Sequence, residues 1–153
     1  MTTLHNEIII NAPIENIWST LTNIGELDQY DPTVKQSQVI SADNQGMGAK
    51  RKVEMRDGKN WFEEQITTYE PNEALSFELV ACSFPVHSLK HTYSFEKIGN
   101  QTKVKQVMKY QMKYGFLGKI LDKLVVKRQS DKGIKQFFSG LKAHVEHQNM
   151  PVG

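Results

Sequence analysis

Residues 103–113 alternate in a way that few folds can accommodate. Lys103, Lys105, Lys109 and Lys113 fall on one side of an extended backbone, where Val107 is the only apolar residue. Val104, Gln106, Met108, Tyr110 and Met112 fall on the other side. Successive strand side chains point to opposite faces, so this segment predicts a strand with one wet face and one covered face. A slip of one residue would turn the lysines inward, so the register is strongly specified. Something must cover the inner face, and residues 116–147, which read as one long helix, supply it.

The remaining chain fits the same plan. Residues 4–10 (LHNEIII) read as a strand. Asn11 is a plausible helix cap, and Pro13 sits in the first turn, where its missing N–H costs nothing. Ile14, Ile17, Trp18 and Leu21 then recur at helical spacing, and a second short helix over residues 24–30 stops at Asp31-Pro32. Residues 34–42, 49–56, 59–69, 74–83, 87–97 and 101–113 read as strands, with Asp57-Gly58 and Gly99-Asn100 as hairpin turns. In the long helix, Leu117, Ile120, Leu121, Leu124 and Val125 form one apolar stripe; Ile134, Phe138, Leu141 and Val145 form another. Between them KRQSDKG, residues 127–133, holds no apolar side chain, and Gly133 weakens the helix, which predicts a bend or a change of partner. The expected class is α+β: a curved seven-stranded antiparallel sheet around a long C-terminal helix, with two short helices after the first strand.

At 153 residues the chain is long enough for one domain, taken as residues 1–153 with 148–153 as a frayed tail. A net charge of +2 gives no reason to expect nucleic acid. One cysteine excludes an intramolecular disulfide framework and a multi-cysteine metal site. No apolar run approaches the roughly 20 residues of a membrane helix, and the N-terminus lacks a secretory pattern. Cytoplasmic location, no cofactor and no stable membrane insertion are the expectations.

The turns align the strands. A two-residue Asp57-Gly58 loop puts Val53 opposite Phe62 and Arg51 opposite Glu64. A two-residue Gly99-Asn100 loop puts Phe95 opposite Val104, Tyr93 opposite Gln106 and His91 opposite Met108. Pairing Tyr69 with Ala74 places Ile66 beside Phe77 and Glu64 beside Leu79; pairing Ser83 with His87 places Leu79 beside His91. This lattice keeps Val53, Phe62, Ile66, Leu75, Phe77, Leu79, Leu89 and Phe95 inside. It also puts Arg51, Glu64, Ser83, His87, His91, Tyr93, Gln106 and Tyr110 inside, whereas Cys82 falls outside. Buried polar groups need partners, water or a ligand, so a partly polar hollow is expected.

The element order, the opening INAPIENIWSTLTN and the segment YDPTV resemble the START-like, or Bet v 1-like, superfamily. GMGAKRKVEM, ITTYEPNEALSFEL and the closing YGFLGKILDKLVV…GIKQFFSGLKAHVE are similar to its polyketide cyclase/dehydrase and lipid-transport group, over about residues 4–147. The resemblance implies a helix-grip domain with an elongated hydrophobic cavity between sheet and C-terminal helix. It also implies a role among carriers of lipids, sterols and quinones, or aromatase/cyclases, without a universal catalytic motif.

Each candidate residue has a functional and a structural reading. Arg51 and Glu64 either orient a polar ligand group or form a structural ion pair. His91 could act as a general base with Tyr93 or Arg51 stabilising an enolate, or His91 and Tyr93 could be hydrogen-bonded core residues. His87 and His91 lie about 13 Å apart along a strand and cannot share a metal ion. His144 and His147 have helical spacing but no third ligand in reach. Arg128 and Asp131 line a cavity mouth or form a solvated ion pair. Gly46-x-Gly48 precedes a strand, which excludes a phosphate loop. Phe116, Leu117 and the Phe84-Pro85-Val86 tip could form a lid or rim. The expected ligand-contacting set is Arg51, Glu64, Phe77, Leu79, His87, His91, Tyr93, Gln106, Met108, Tyr110, Leu124 and Arg128, with no metal. Three functions fit: a binder or carrier of a small, largely apolar or amphipathic molecule; a cyclase/dehydratase using His91; or a protein-interaction module.

Overall fold

The computed structural model describes residues 1–121 and 127–148. Strands β1 (Thr2–Ile10), β2 (Val34–Val39), β3 (Lys50–Met55), β4 (Trp61–Glu70), β5 (Ala74–Cys82), β6 (Val86–Ile98) and β7 (Gln101–Met112) form one antiparallel sheet in the order β1-β7-β6-β5-β4-β3-β2. Helix α1 (Ile14–Thr22) and a 3₁₀ segment (Ile24–Gln29) follow β1; α2 (Gly115–Leu121) and α3 (Lys127–Gln148) follow β7. The α+β class and the seven-stranded antiparallel sheet are as expected, and the helix-grip arrangement is the one the resemblance implies. Residues 122–126, including Leu124, lie outside the described residues, as do 149–153 of the expected frayed tail; Gln148 is the last residue of α3.

The two tight hairpins set the register as expected. Asp57 accepts hydrogen bonds from the N–H groups of Lys59 and Asn60, and Gly58 adopts a positive φ of 74° that suits glycine. Arg51 therefore pairs with Glu64 and Val53 with Phe62. Across β6 and β7, Tyr93 faces Gln106 and His91 faces Met108.

The longer connections depart from simple pairing through β-bulges, each of which inserts one extra residue on one strand. Ile66 does face Phe77, but a bulge at Thr67 makes Tyr69 pair with Leu75, not Ala74. A second bulge, at Val80, turns Val80 outward and Cys82 inward, where it packs partly buried against the core opposite Phe62. A third, at His87 on β6, brings Val86 inside and leaves His87 exposed. The outward Cys82 and inward His87 expected from strict alternation are both corrected by these bulges. Ser83 is exposed as well, and its hydroxyl accepts from the Trp61 N–H.

The β5–β6 pairing is shifted by two residues from expectation. His91 faces Phe77 rather than Leu79, and ladder pairing ends at Glu78 with Lys90. Beyond that point β5 stays with β4, and β6 stays with β7. The sheet thus parts near the Phe84-Pro85-Val86 tip, at one end of the interior.

Helix α3 buries Ile134, Phe137, Phe138, Leu141 and Val145. Its C-terminal half is fixed to the start of the fold: Glu146 accepts from the Asn11 N–H, and the Lys142 ammonium donates to the Ile9 carbonyl. Gly140 permits close approach to the turn after the 3₁₀ segment, since a Cβ there would lie 1.9 Å from the Tyr30 carbonyl oxygen. At the other end of the sheet Trp18 of α1 packs edge-on against Tyr69 and Phe95. The expected apolar stripe on the first half of the C-terminal helix is not packed inward where it is described: Leu117 and Ile120 are exposed, as is the neighbouring Phe116.

Candidate functional site

Between the inner face of the sheet, the 3₁₀ segment and α3 lies a cavity of about 630 Å³. That volume suits a small organic molecule. Its apolar wall includes Phe62, Leu79, Leu89 and Met108 from the sheet, Phe84 and Pro85 from the tip, and Ile134 and Phe137 from α3.

The floor is polar because three inward positions converge on adjacent strands. Arg51 (β3), Glu64 (β4) and His91 (β6) are all buried. The Arg51 Nε donates to Glu64 Oε1 at 2.8 Å, with Nη2 2.6 Å from the same oxygen. The second carboxylate oxygen, Oε2, lies 2.9 Å from His91 Nε2. His91 Nδ1 lies 3.0 Å from the Tyr93 hydroxyl, which also accepts from Gln106 Nε2 at 3.0 Å. Phe77 stacks on His91 with centroids 5.2 Å apart, and the Arg51 guanidinium lies 4.4 Å from the centre of the same ring. One chain of contacts therefore runs Arg51–Glu64–His91–Tyr93–Gln106.

Electrostatics fix the charges along it. Burial by itself raises the Glu64 pKa, but Arg51 and His91 outweigh it and hold the carboxyl at about 2. Burial lowers that of Arg51, and the facing carboxylate more than reverses the effect. Tyr93 and Tyr30 are pushed well above the ordinary phenol value, chiefly by burial, so both stay protonated. At the cavity margin, burial raises the Asp31 carboxyl, against two hydrogen bonds from Thr33.

Of the residues expected to contact a ligand, Arg51, Glu64, Leu79, His91, Tyr93, Gln106, Met108 and Tyr110 line the cavity. Phe77 is buried directly behind His91. His87 is turned to solvent by its bulge, and Arg128 is exposed on a separate outer groove with Pro32, Asp131 and Lys135. Both are withdrawn from the inner set. Among the described residues no group of three or more His, Cys, Asp or Glu side chains could hold a metal ion.

Sequence reasoning missed the contributions of Asp31 and Thr33, and of Gln129, Ser130, Gly133 and Phe137 on α3. The Asp31-Pro32-Thr33 turn was legible as a helix stop, but where it lies against the sheet is a tertiary fact. Phe137 stands at i+3 from Ile134, a spacing that does mark an inward residue.

A model of the polyketide cyclase/dehydrase and lipid transport family matches residues 1–146. The chain belongs to that family. No curated protein matches the sequence. Among solved structures, a START superfamily protein from Mycobacterium smegmatis is 15% identical, with a TM-score of 0.77 over 95% of this chain and 98% of the other. Ara h 8.0201 is 14% identical, with a TM-score of 0.77 over 95% and 98%. The di-domain ARO/CYC BexL of the BE-7585A biosynthetic pathway is 15% identical, with a TM-score of 0.79 over 99% of this chain and 48% of the other. At these identities the likeness is one of fold. No helix among the described residues is long and apolar enough to cross a membrane.

Proposed function

We propose that this protein binds a small, largely apolar molecule in the cavity between sheet and α3 and orients it through the polar floor. The observation that carries this reading is a hollow of about 630 Å³ whose apolar walls end on the buried Arg51–Glu64–His91–Tyr93–Gln106 chain. Apolar burial supplies affinity at about 25 cal/mol per Å², and a few fixed polar groups supply orientation. Membership of a family described by both cyclisation and lipid transport agrees with such a ligand. A protein-interaction module would instead have a filled interior. The expected location of a binder with this composition is the cytoplasm.

A cyclase or dehydratase is the second reading, favoured by the Glu64–His91–Tyr93 chain, in which a carboxylate orients an imidazole that contacts a phenol. Both nitrogens of His91 are engaged, so His91 has no free lone pair with which to take a proton from a substrate directly. Tyr93 would then be the group meeting substrate, with His91 and Glu64 positioning it.

Native mass spectrometry of the purified full chain tests the first reading. A copurified molecule retained by the wild type and absent from Leu79→Trp, which fills the cavity from its wall, is the expected result. Equal retention by the two proteins would overturn it. Turnover lost in Tyr93→Phe with binding kept would favour the enzyme.

A further inference from the structure

We propose that α2 docks this protein on the surface of an anionic lipid bilayer, beside the end of the cavity formed by the Phe84-Pro85-Val86 tip. The docking does not depend on the binding reading above, because none of the side chains that carry it lines the cavity.

Helix α2 turns its apolar side chains outward. Phe116 is 76% exposed, Leu117 71% and Ile120 43%; Tyr114, just before the helix, is 73% exposed. A helix in a folded domain ordinarily covers a core with its apolar side. This one rests on the protein through a residue without a side chain. A Cβ at Gly118 would lie 2.0 Å from the Lys113 carbonyl oxygen and 3.0 Å from the Met112 Cβ, so a larger residue would push the helix off the end of β7. The turn into the helix is constrained as well. Tyr114 has a φ of 70°, a left-handed conformation that strains a bulky residue, and Gly115 follows with a φ of 50°. A close glycine contact and a strained turn thus hold the aromatic and aliphatic groups off the body of the protein.

The helix starts next to the cavity. The Lys113 N–H donates to the Pro85 carbonyl, which ties the end of β7 to the tip. Phe84, Pro85, Val86 and Met112 all line the cavity, and β5 and β6 part beside them. The first turns of α3 meet the same cavity through Gln129, Ser130 and Gly133. On their outer side Arg128, Lys132 and Lys135 line a groove with Pro32.

Charge is concentrated on this part of the chain. Residues 113–135 hold seven basic and two acidic residues, a net +5 in a chain of net +2, so the remainder is net negative. Lys113, Lys119, Lys127, Arg128, Lys132 and Lys135 are exposed. Exposed apolar side chains with ammonium and guanidinium groups beside them match an anionic bilayer: the apolar groups enter the acyl boundary, and the cations meet headgroup phosphates. A protein partner fits less well, since four side chains on a two-turn helix offer far less than the roughly 800 Å² that a stable interface takes from each side. The attachment is peripheral, because no helix among the described residues is long and apolar enough to cross a membrane. An apolar ligand leaving past the tip would then enter lipid rather than water; that consequence, unlike the docking, needs the binding reading.

Flotation of the full chain with phosphatidylcholine vesicles, with and without about 30% phosphatidylglycerol, tests this. The protein should float with the anionic vesicles at about 0.1 M salt, much less at about 1 M, and not with phosphatidylcholine alone. Phe116→Ser with Leu117→Ser should weaken the association about 10-fold or more and leave thermal melting unchanged, since both side chains already face solvent. Lys119→Glu with Arg128→Glu should weaken it as well. Hydrogen exchange of residues 113–121 should slow on anionic vesicles in the wild type and not in the double-serine variant. No flotation, equal flotation of wild type and double-serine variant, or exchange at 113–121 that ignores the vesicles would overturn the proposal. So would protection of 113–121 without lipid that rises with protein concentration, together with a dimer lost in the double-serine variant; the occupant would then be a second copy. Native mass spectrometry of the wild type separates the two readings. A retained small molecule without flotation ends the docking and leaves the binding reading; flotation of a protein that retains nothing, and from which Leu79→Trp differs in no way, does the reverse.

Discussion

Arg51 and Glu64 stand directly opposite each other on neighbouring strands, and their ion pair is closed off from solvent at 4% and 2% exposure. A buried pair of this kind is not by itself a source of stability, because desolvating both charges offsets their attraction. Its value lies in what it fixes: one oxygen of Glu64 is held by Arg51, and the other is left for His91.

Removing half of the pair should therefore be severe. Glu64→Gln leaves a buried guanidinium without its counter-charge, and the expected loss is about 3–5 kcal/mol. Replacing both residues, as in Arg51→Met with Glu64→Met, should recover most of that loss while abolishing the polar floor. Urea denaturation of the single and double variants checks both statements.

The same carboxylate predicts acid behaviour. Its folded pKa of about 2 lies below its ordinary value of 4.5. The native state therefore releases a proton that the unfolded chain still binds. The resulting stability is fully present above pH 4.5 and is lost as pH falls from 4.5 towards 2, on the order of 3 kcal/mol in all. Asp31 acts in the opposite sense: burial raises its pKa, so protonation relieves a cost and partly offsets the loss. Stability measured by urea midpoints across that range should show the acid limb in the wild type and a much shallower one in Glu64→Gln.

The sequence made most of the architecture legible, and the reasons are local. Period-two alternation on residues 103–113 specified the inner face of β7, and the Asp57-Gly58 and Gly99-Asn100 turns set the pairing of Arg51 with Glu64 and Tyr93 with Gln106. The bulges at Thr67, Val80 and His87 were not legible, because an extra residue is tolerated wherever bend and packing reward it and leaves no mark in composition. One of them decided site membership by turning His87 outward, and another turned Cys82 inward against the core. The two-residue shift of β6 against β5 kept every face correct but changed the neighbour of His91 from Leu79 to Phe77. Face is encoded by alternation; partner is encoded by connection length, which only the two-residue turns fix.

Two glycines of α3 should respond in opposite ways to alanine. At Gly140 a Cβ would lie 1.9 Å from the Tyr30 carbonyl oxygen, so the helix must move off the turn, at a cost of about 1–3 kcal/mol or more. At Gly133 a Cβ meets nothing within 4 Å, and alanine should stabilise the helix by about 0.8–1 kcal/mol. Thermal melting of Gly140→Ala and Gly133→Ala checks the contrast. A destabilised Gly133→Ala would mean that the helix backbone there is not regular.

The two histidines of β6 give a matched comparison, since they lie four residues apart on one strand and strict alternation puts them on the same face. The bulge separates them: His87 is exposed, whereas His91 is buried and bonded through both nitrogens. His87→Ala removes a solvated side chain and should leave stability and ligand retention at their wild-type values. His91→Ala removes the partner of Glu64 Oε2, a hydrogen-bond partner of the Tyr93 hydroxyl and the ring stacked on Phe77. Leaving buried polar groups unpaired costs about 1–3 kcal/mol, to which the lost packing adds. Chemical denaturation of both variants, with native mass spectrometry of each, reads the difference. If His87→Ala were as damaging as His91→Ala, the bulge would be misplaced and both histidines would face the cavity.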